Sequence, residues 1–250
     1  MKVDVTFCAG SYTPAESHGR VVVVMDVLRA STSIAVALHN GARNVVPFES
    51  ADEAVARAKS FDRSDFVLAG ERRMQPIAGF DLGNSPQSFS AQAVEGRTVL
   101  FTTSNGTAAL VSAQGAHEVF VGSFVNLTAV LDVLRAPSRA SAHLLLLCAG
   151  SDRRFSLEDA GFCAGRFIRG LAERDDRELE LNDAARAARV LDKRYGDNIA
   201  RLFKDAEHAR ALVSAGYADD LAVCAALDTY PVVPVYADRL ITRMGSDREK

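Results

Sequence analysis

Five consecutive apolar residues, Val21-Val22-Val23-Val24-Met25, run into Asp26 and then, beyond Arg29, into three hydroxyls at Ser31, Thr32 and Ser33. Four β-branched residues in a row suit a strand covered on both faces, and such strands belong to parallel or mixed sheets flanked by helices. The run therefore predicts an α/β protein with Asp26 at the carboxyl end of a central strand. Ile34 to Leu38 reads as a helix closed by Gly41, which places the hydroxyls at a helix N-terminus, where free N–H groups favour an anion. Open α/β sheets bind ligands along this same edge.

Composition narrows the function classes. A chain of 250 residues, 48% hydrophobic and 24% charged, is long enough for one large domain over residues 1–250 or two closely packed lobes. A net charge of -3 without a basic stripe argues against nucleic acid as a ligand. No apolar run approaches the ~20 residues of a membrane span, and Met1 to Gly10 lacks the apolar centre of a signal peptide, so the expected location is cytoplasmic. Cys8, Cys148, Cys163 and Cys224 form no CxxC pair; buried, reduced thiols are expected rather than zinc or disulfides.

Further strands are predicted at Lys2 to Ala9, Asn44 to Phe48, Phe66 to Ala69, Arg97 to Phe101, Glu118 to Val121 and His143 to Cys148. Ser50 and Ser156 have the spacing of helix caps, and Asn126 is expected to cap a helix through Leu134 rather than carry a glycan. Amphipathic helices are expected at Asn182 to Tyr195 and Ile199 to Phe203. Tyr230 to Thr242 reads as a hairpin that Pro234 confines to a sheet edge, and Ser246 to Lys250 as a disordered tail.

Polar clusters gather at the predicted strand ends: Asp26 with Arg29, Glu71 with Arg72, Thr102 to Thr107, and Cys148 leading to Arg154, Glu158 and Asp159. A long loop adds Asp81, Asn84 and Ser85. Each has a plain alternative. Glu158 and Asp159 could only complete a cap behind Ser156, and Arg29 and Arg72 could be ordinary ion-pair partners. Asp26 is harder to explain so, because a carboxylate ending a buried strand needs a partner. Four hydroxyls, an amide and a glycine between Thr102 and Thr107 also suit an anion cradle. Arginines and hydroxyl turns invite an oxyanion while clustered carboxylates repel it, and a divalent cation reconciles the two. Oxygen ligands without a His-rich motif point to magnesium, and magnesium beside a phosphate points to phosphoryl chemistry.

Together the segments Asp26-Val27-Leu28-Arg29-Ala30-Ser31-Thr32, Ala69-Gly70-Glu71-Arg72, Gly79-Phe80-Asp81-Leu82-Gly83-Asn84-Ser85-Pro86, Asn105-Gly106-Thr107, Cys148-Ala149-Gly150 and Phe155-Ser156-Leu157-Glu158-Asp159 resemble the motifs of 2-phosphosulfolactate phosphatases. The resemblance spans nearly the whole chain in one order. It implies a three-layer α/β/α fold with a mixed, largely parallel sheet. The implied activity is a Mg2+-dependent release of phosphate from 2-phospho-3-sulfolactate, a step toward coenzyme M. On this reading Asp26, Glu71, Asp81, Glu158 and Asp159 are the acid/base carboxylates, with Asp26, Glu71 and Asp81 holding the metal. Arg29, Ser31, Thr32, Arg72, Asn84, Ser85, Thr103, Ser104, Asn105, Gly106, Thr107, Cys148 and Arg154 form the substrate-binding set. The alternatives are a phosphatase of another small 2-phospho carboxylic acid and a non-catalytic binder of an anionic metabolite. A homodimer is an assembly the sequence leaves open.

Overall fold

The computed structural model describes residues 1–173 and 178–245. The first half of the chain gives β1 (Lys2–Thr6), β2 (Val21–Met25), α1 (Ala30–His39), β3 (Asn44–Phe48), α2 (Ala51–Ala58), β4 (Phe66–Arg72), β5 (Gln75–Pro76), α3 (Ala91–Val94), β6 (Thr98–Thr102), α4 (Gly106–Ser112) and β7 (Glu118–Val121). The second gives α5 (Leu127–Leu134), β8 (His143–Cys148), α6 (Ala164–Glu173), β9 (Glu180–Leu181), α7 (Asp183–Tyr195), α8 (Ile199–Asp205), α9 (Glu207–Ser214), α10 (Ala218–Ala225), β10 (Pro234–Ala237) and β11 (Leu240–Arg243). The strands form one sheet in the order β5-β4-β6-β3-β11-β10-β7-β2-β8-β1-β9. Pairings among β1, β2, β7, β8 and β9 and among β3, β4 and β6 are parallel; β5, β10 and β11 pair antiparallel.

Period-two alternation along β2 explains the layers. Val21, Val23 and Met25 pack into a cluster with Val130 and Leu131 of α5, Phe167 and Ile168 of α6 and Leu202 of α8. Val22 and Val24 point the other way, toward Ile34 of α1 and Leu110 of α4. A strand apolar at every position thus fills two cores, and each fully buried valine contributes roughly 1.5–3 kcal/mol. The result is a three-layer α/β/α protein. Among the described residues, no helix is long and apolar enough to cross a membrane. All four cysteines are buried and free.

Four local readings need correction. The β10–β11 hairpin lies in the middle of the sheet and not at its edge, joined to β7 by the pair Val235 and Phe120 and to β3 by Ile241 and Val45. Pro234 is tolerated because it is the first residue of its strand. Asn126 sits at the start of α5 without capping it; its buried amide accepts from the Ser123 N–H and donates to the Val121 and Val232 carbonyls. β4 continues through Glu71 and Arg72, three residues past the expected end. Two helices, α9 and α10, were not foreseen between Phe203 and Tyr230. The expected disordered tail, Ser246 to Lys250, lies outside the described residues.

Candidate active site

The carboxyl ends of β2, β4, β6 and β8 open into a cavity of about 960 Å³. Its floor begins at Asp26, 7% exposed, just beyond β2. The Asp26 main-chain N–H donates to Ser31 Oγ at 2.8 Å, and Asp26 Oδ1 accepts from the Ala30 N–H at 3.1 Å. Its Oδ2 lies against Gly106 so closely that a Cβ there would come within 2.5 Å of that oxygen and 2.6 Å of the Ala30 methyl. Glycine at 106 is therefore required by close approach of α4 to the carboxylate, and its φ is not in the left-handed range.

Glu158 and Asp159 enter on a π-helical turn, Leu157–Cys163, that precedes α6 and is capped by Ser156 Oγ accepting from the Asp159 N–H. Asp159 points beneath the cavity. Its Oδ1 accepts from the Val27 N–H at 2.7 Å and its Oδ2 from the Gly150 N–H at 3.3 Å, tying the ends of β2 and β8 together. Glu158 lines the cavity, and its Oε2 is buried with no hydrogen-bond partner among the described residues. The same is true of Asn84 Oδ1, whose backbone carbonyl is held by Ser33 Oγ at 2.9 Å.

These acids are short of counter-charge. Burial, reinforced by the negative charge of Asp159, pushes Asp26 up to about 8. Burial likewise raises Glu158 to about 7, with Asp26 contributing, and Asp159 to about 8, with Glu158 contributing. Buried carboxylates and unpartnered oxygens in one cavity form a donor set that a hard cation would satisfy. Among the described residues no group of three or more His, Cys, Asp and Glu side chains is arranged to hold a metal ion. One or two carboxylates and an amide oxygen are thus the most the cavity offers a cation, and water and ligand oxygens would have to complete its shell.

Glu71, 6% exposed, serves a different purpose. Its Oε1 accepts from the Ser104 N–H at 2.7 Å, while its Oε2 accepts from Ser104 Oγ at 3.1 Å and from the Met74 N–H at 2.8 Å. It clasps the β4–β5 hairpin to the β6–α4 turn.

Residues 10–239 match the sequence model of the 2-phosphosulpholactate phosphatase family. This chain belongs to that family. A Symbiobacterium thermophilum protein named probable 2-phosphosulfolactate phosphatase is 42% identical over 226 residues, covering 90% of this chain and 95% of its own length. Proteins of the same name from Caldanaerobacter subterraneus subsp. tengcongensis and Clostridium beijerinckii are 39% and 34% identical, covering 85% and 97% of this chain and 86% and 99% of their own.

Of the family-motif residues singled out in the sequence, Asp26, Arg29, Glu71, Asn84, Ser104, Asn105, Arg154 and Glu158 line the cavity. Others are turned away from it. Asp81 pairs with Arg63 on the outer side of β4 and accepts from the Leu68 N–H, so the structure does not bring it to Asp26 and Glu71. Arg72 points to Thr102 Oγ1 and the Glu49 carbonyl, since consecutive strand residues face opposite sides. Ser31 and Thr32 spend their hydroxyls on the Asp26 N–H and the Val27 carbonyl. Thr103 and Thr107 bond one another: each hydroxyl accepts the other's main-chain N–H, at 3.1 and 3.2 Å. Ser85 Oγ donates to Asp220 Oδ1 at 2.5 Å. Cys148 is buried under the floor, where desolvation and Asp159 hold its thiol protonated. The anion cradle expected over Thr103–Thr107 is thus mainly an internal clasp.

Arg73 and His208 of the cavity, and Asp220 behind Arg29, escaped the sequence. Arg73, not Arg72, faces the cavity from a two-residue hairpin tip, Arg73–Met74, with φ of 50° and 70°. His208 of α9 donates from Nε2 to the Leu28 carbonyl at 2.9 Å, and burial holds its pKa below the usual value, so it is a neutral imidazole. Asp220 of α10 is buried against Arg29 at 2.6 Å, with Tyr217 stacked 4.2 Å from the guanidinium. No local motif marks these two. Their helices, α9 and α10, were not foreseen either, and only the fold brings His208 to the cavity and Asp220 to Arg29.

Proposed function

We propose that this protein is a phosphoric monoester hydrolase that releases phosphate from 2-phospho-3-sulfolactate, giving 3-sulfolactate as a step toward coenzyme M, and that it requires magnesium. One observation carries the reading beyond family membership. Buried, partnerless oxygens (Glu158 Oε2 and Asn84 Oδ1) share a cavity with Asp26, whose pKa is raised, while guanidinium groups line the same cavity. A pure anion binder gains nothing from an acidic floor. A phosphoryl-transfer site does, because the floor can hold the cation that the phosphate needs.

Asp26 and Glu158 would hold the magnesium, with the Asn84 amide oxygen as a third donor. Bound there, the ion would supply charge neutralisation for the phosphoryl oxygens and the departing alkoxide. The chain does the rest. Asp159 fixes Val27 and Gly150, and through them the ends of β2 and β8 that carry the floor. Ser33 sets Asn84 by its carbonyl, and Asp220 with Tyr217 holds Arg29 rigid against the cavity wall. His208, neutral and hydrogen-bonded to Leu28 O, adds no charge to an already charged site.

The test is phosphate release from 2-phospho-3-sulfolactate by purified protein, with added Mg2+ and with excess chelator. Release that stops in chelator and returns with Mg2+ is the expected result. Full activity in chelator overturns the magnesium requirement, and absence of release under all conditions overturns the reaction.

A further inference from the structure

The ester proposed above carries a carboxylate and a sulfonate besides its phosphate, and an acidic floor repels both. We propose that Arg73 and Arg154 form a two-armed clamp for these two outer anions, set at fixed spacing by Ser104 and Asn105. This rests on the phosphosulfolactate reading and deepens it.

Both arginines line the cavity and both are exposed. Among the described residues neither guanidinium has a hydrogen-bond or ion-pair partner. This distinguishes them from Arg29, which is neutralised by Asp220, and from Arg72, which faces Thr102 and Glu49. Each arm is carried by a tight hairpin of the same type. Arg73 is a tip residue between the paired Arg72 and Gln75. Arg154 pairs with Ser151 across the tip Asp152–Arg153, where φ is 48° and 58°. Left-handed backbone at two consecutive non-glycine residues is uncommon, and it folds each hairpin in the shortest possible distance.

A single turn holds both tips. The Arg73 N–H donates to Ser104 Oγ at 3.2 Å, and the Asp152 N–H donates to Asn105 Oδ1 at 3.2 Å. Adjacent residues of the β6–α4 turn thereby brace one hairpin each, and Glu71 locks Ser104 in place. A planar guanidinium on a braced hairpin can offer paired hydrogen bonds to a carboxylate or a sulfonate without the entropy cost of ordering a free loop. Arg73 and Arg154 are thus specificity-determining residues, and Asn105 is a positioning residue that acts through the second hairpin.

The experiment compares kcat/KM for 2-phospho-3-sulfolactate, 2-phospholactate, which lacks the sulfonate, and isopropyl phosphate, which lacks both outer anions. The expected result is that one of Arg73→Ala and Arg154→Ala loses on the order of tenfold to a hundredfold of the preference for the sulfonated ester. The other should lose a similar factor of the preference for 2-phospholactate over isopropyl phosphate. Both losses should fall on KM, and isopropyl phosphate, which offers the clamp no outer anion, should lose less than either carboxylated ester. Lysine at either position should restore only part, since it keeps the charge but not the fork. Asn105→Ala should raise KM for the two carboxylated esters with kcat retained. Arg153→Ala, on the same tip but outside the cavity, controls for damage to the hairpin and should keep both preferences. Variants Arg73→Ala and Arg154→Ala that retain both preferences overturn the clamp. So does a wild type that hydrolyses all three esters equally well, a result that leaves the phosphatase reading standing. A wild type that releases phosphate from none of them overturns that reading and the clamp with it.

Discussion

The floor and the rim of the cavity treat charge in opposite ways. On the floor, Asp26, Glu158 and Asp159 are buried, close in the fold and pushed up in pKa by lost solvation and by one another. On the rim, Arg73 and Arg154 are solvated and, among the described residues, unpaired. Arg29 lies between the two regimes, a cation at floor depth that is matched by Asp220 and is 3% exposed. The difference teaches where each charge is spent. A solvated arginine costs little to keep and waits for a ligand, whereas a buried carboxylate without a partner costs stability until something positive arrives.

That contrast can be broken most forcibly at Arg29. Asp220→Ala leaves a buried guanidinium without its anion, and the expected cost is about 3–5 kcal/mol of unfolding free energy, read by chemical denaturation. A cost near zero would place Arg29 with the rim arginines instead.

Asp26→Asn addresses the floor. Loss of its charge should reduce kcat by on the order of a hundredfold to a thousandfold, as for other groups that stabilise transition-state charge. The same variant should be at least as stable as wild type in metal-free buffer at pH 8, because Asn can still accept from the Ala30 N–H and carries no buried charge. Retained phosphate release would remove Asp26 from the proposed centre.

The pH dependence of stability sharpens the comparison further. Folded Asp26 and Asp159 hold protons up to about 8 and Glu158 to about 7, while an unfolded carboxyl releases its proton near 4. Between those limits the folded state binds more protons than the unfolded one. Stability of metal-free protein should therefore fall as pH rises from about 4 to about 8 and level off above. Magnesium competes with those protons, so the rise in Tm on adding Mg2+ should be larger at pH 8 than at pH 5.5. An equal Mg2+ shift at both values would mean that the floor does not bind the ion.

The smallest effect is expected at Asp81. Its pairing with Arg63 is solvent-exposed, and Asp81→Asn should cost no more than about 1 kcal/mol and leave the response to Mg2+ unchanged. A lost Mg2+ response would return Asp81 to the metal site.

Strand ends were the legible part of this chain. Uniform apolar runs located β2 and β8; Asp26 follows the first run directly, and Glu158 could be singled out downstream of the second through the cap spacing behind Ser156. Hydroxyls misled because a serine or threonine after a strand serves an internal cap as readily as a ligand; Thr103 and Thr107 satisfy one another. Choosing Arg72 over Arg73 failed by one residue, the smallest error that sends a side chain to the opposite face. Asp220 was beyond reach because its partner Arg29 is 191 residues away, and no local pattern encodes a contact of that span.

The hairpin β10–β11 sets the order in which the molecule can be assembled. Residues 234–243 follow every other strand in the chain, yet they separate β3 from β7. Until they arrive, the sheet exists as two blocks, β5-β4-β6-β3 and β7-β2-β8-β1-β9, each with an open edge facing the gap. Such edges recruit other chains, and pairings of such long sequence separation form slowly. A nascent chain halted before residue 234 therefore has the carboxylates of the cavity floor already synthesised and its sheet unclosed, a species for chaperones to shield rather than a working half-enzyme.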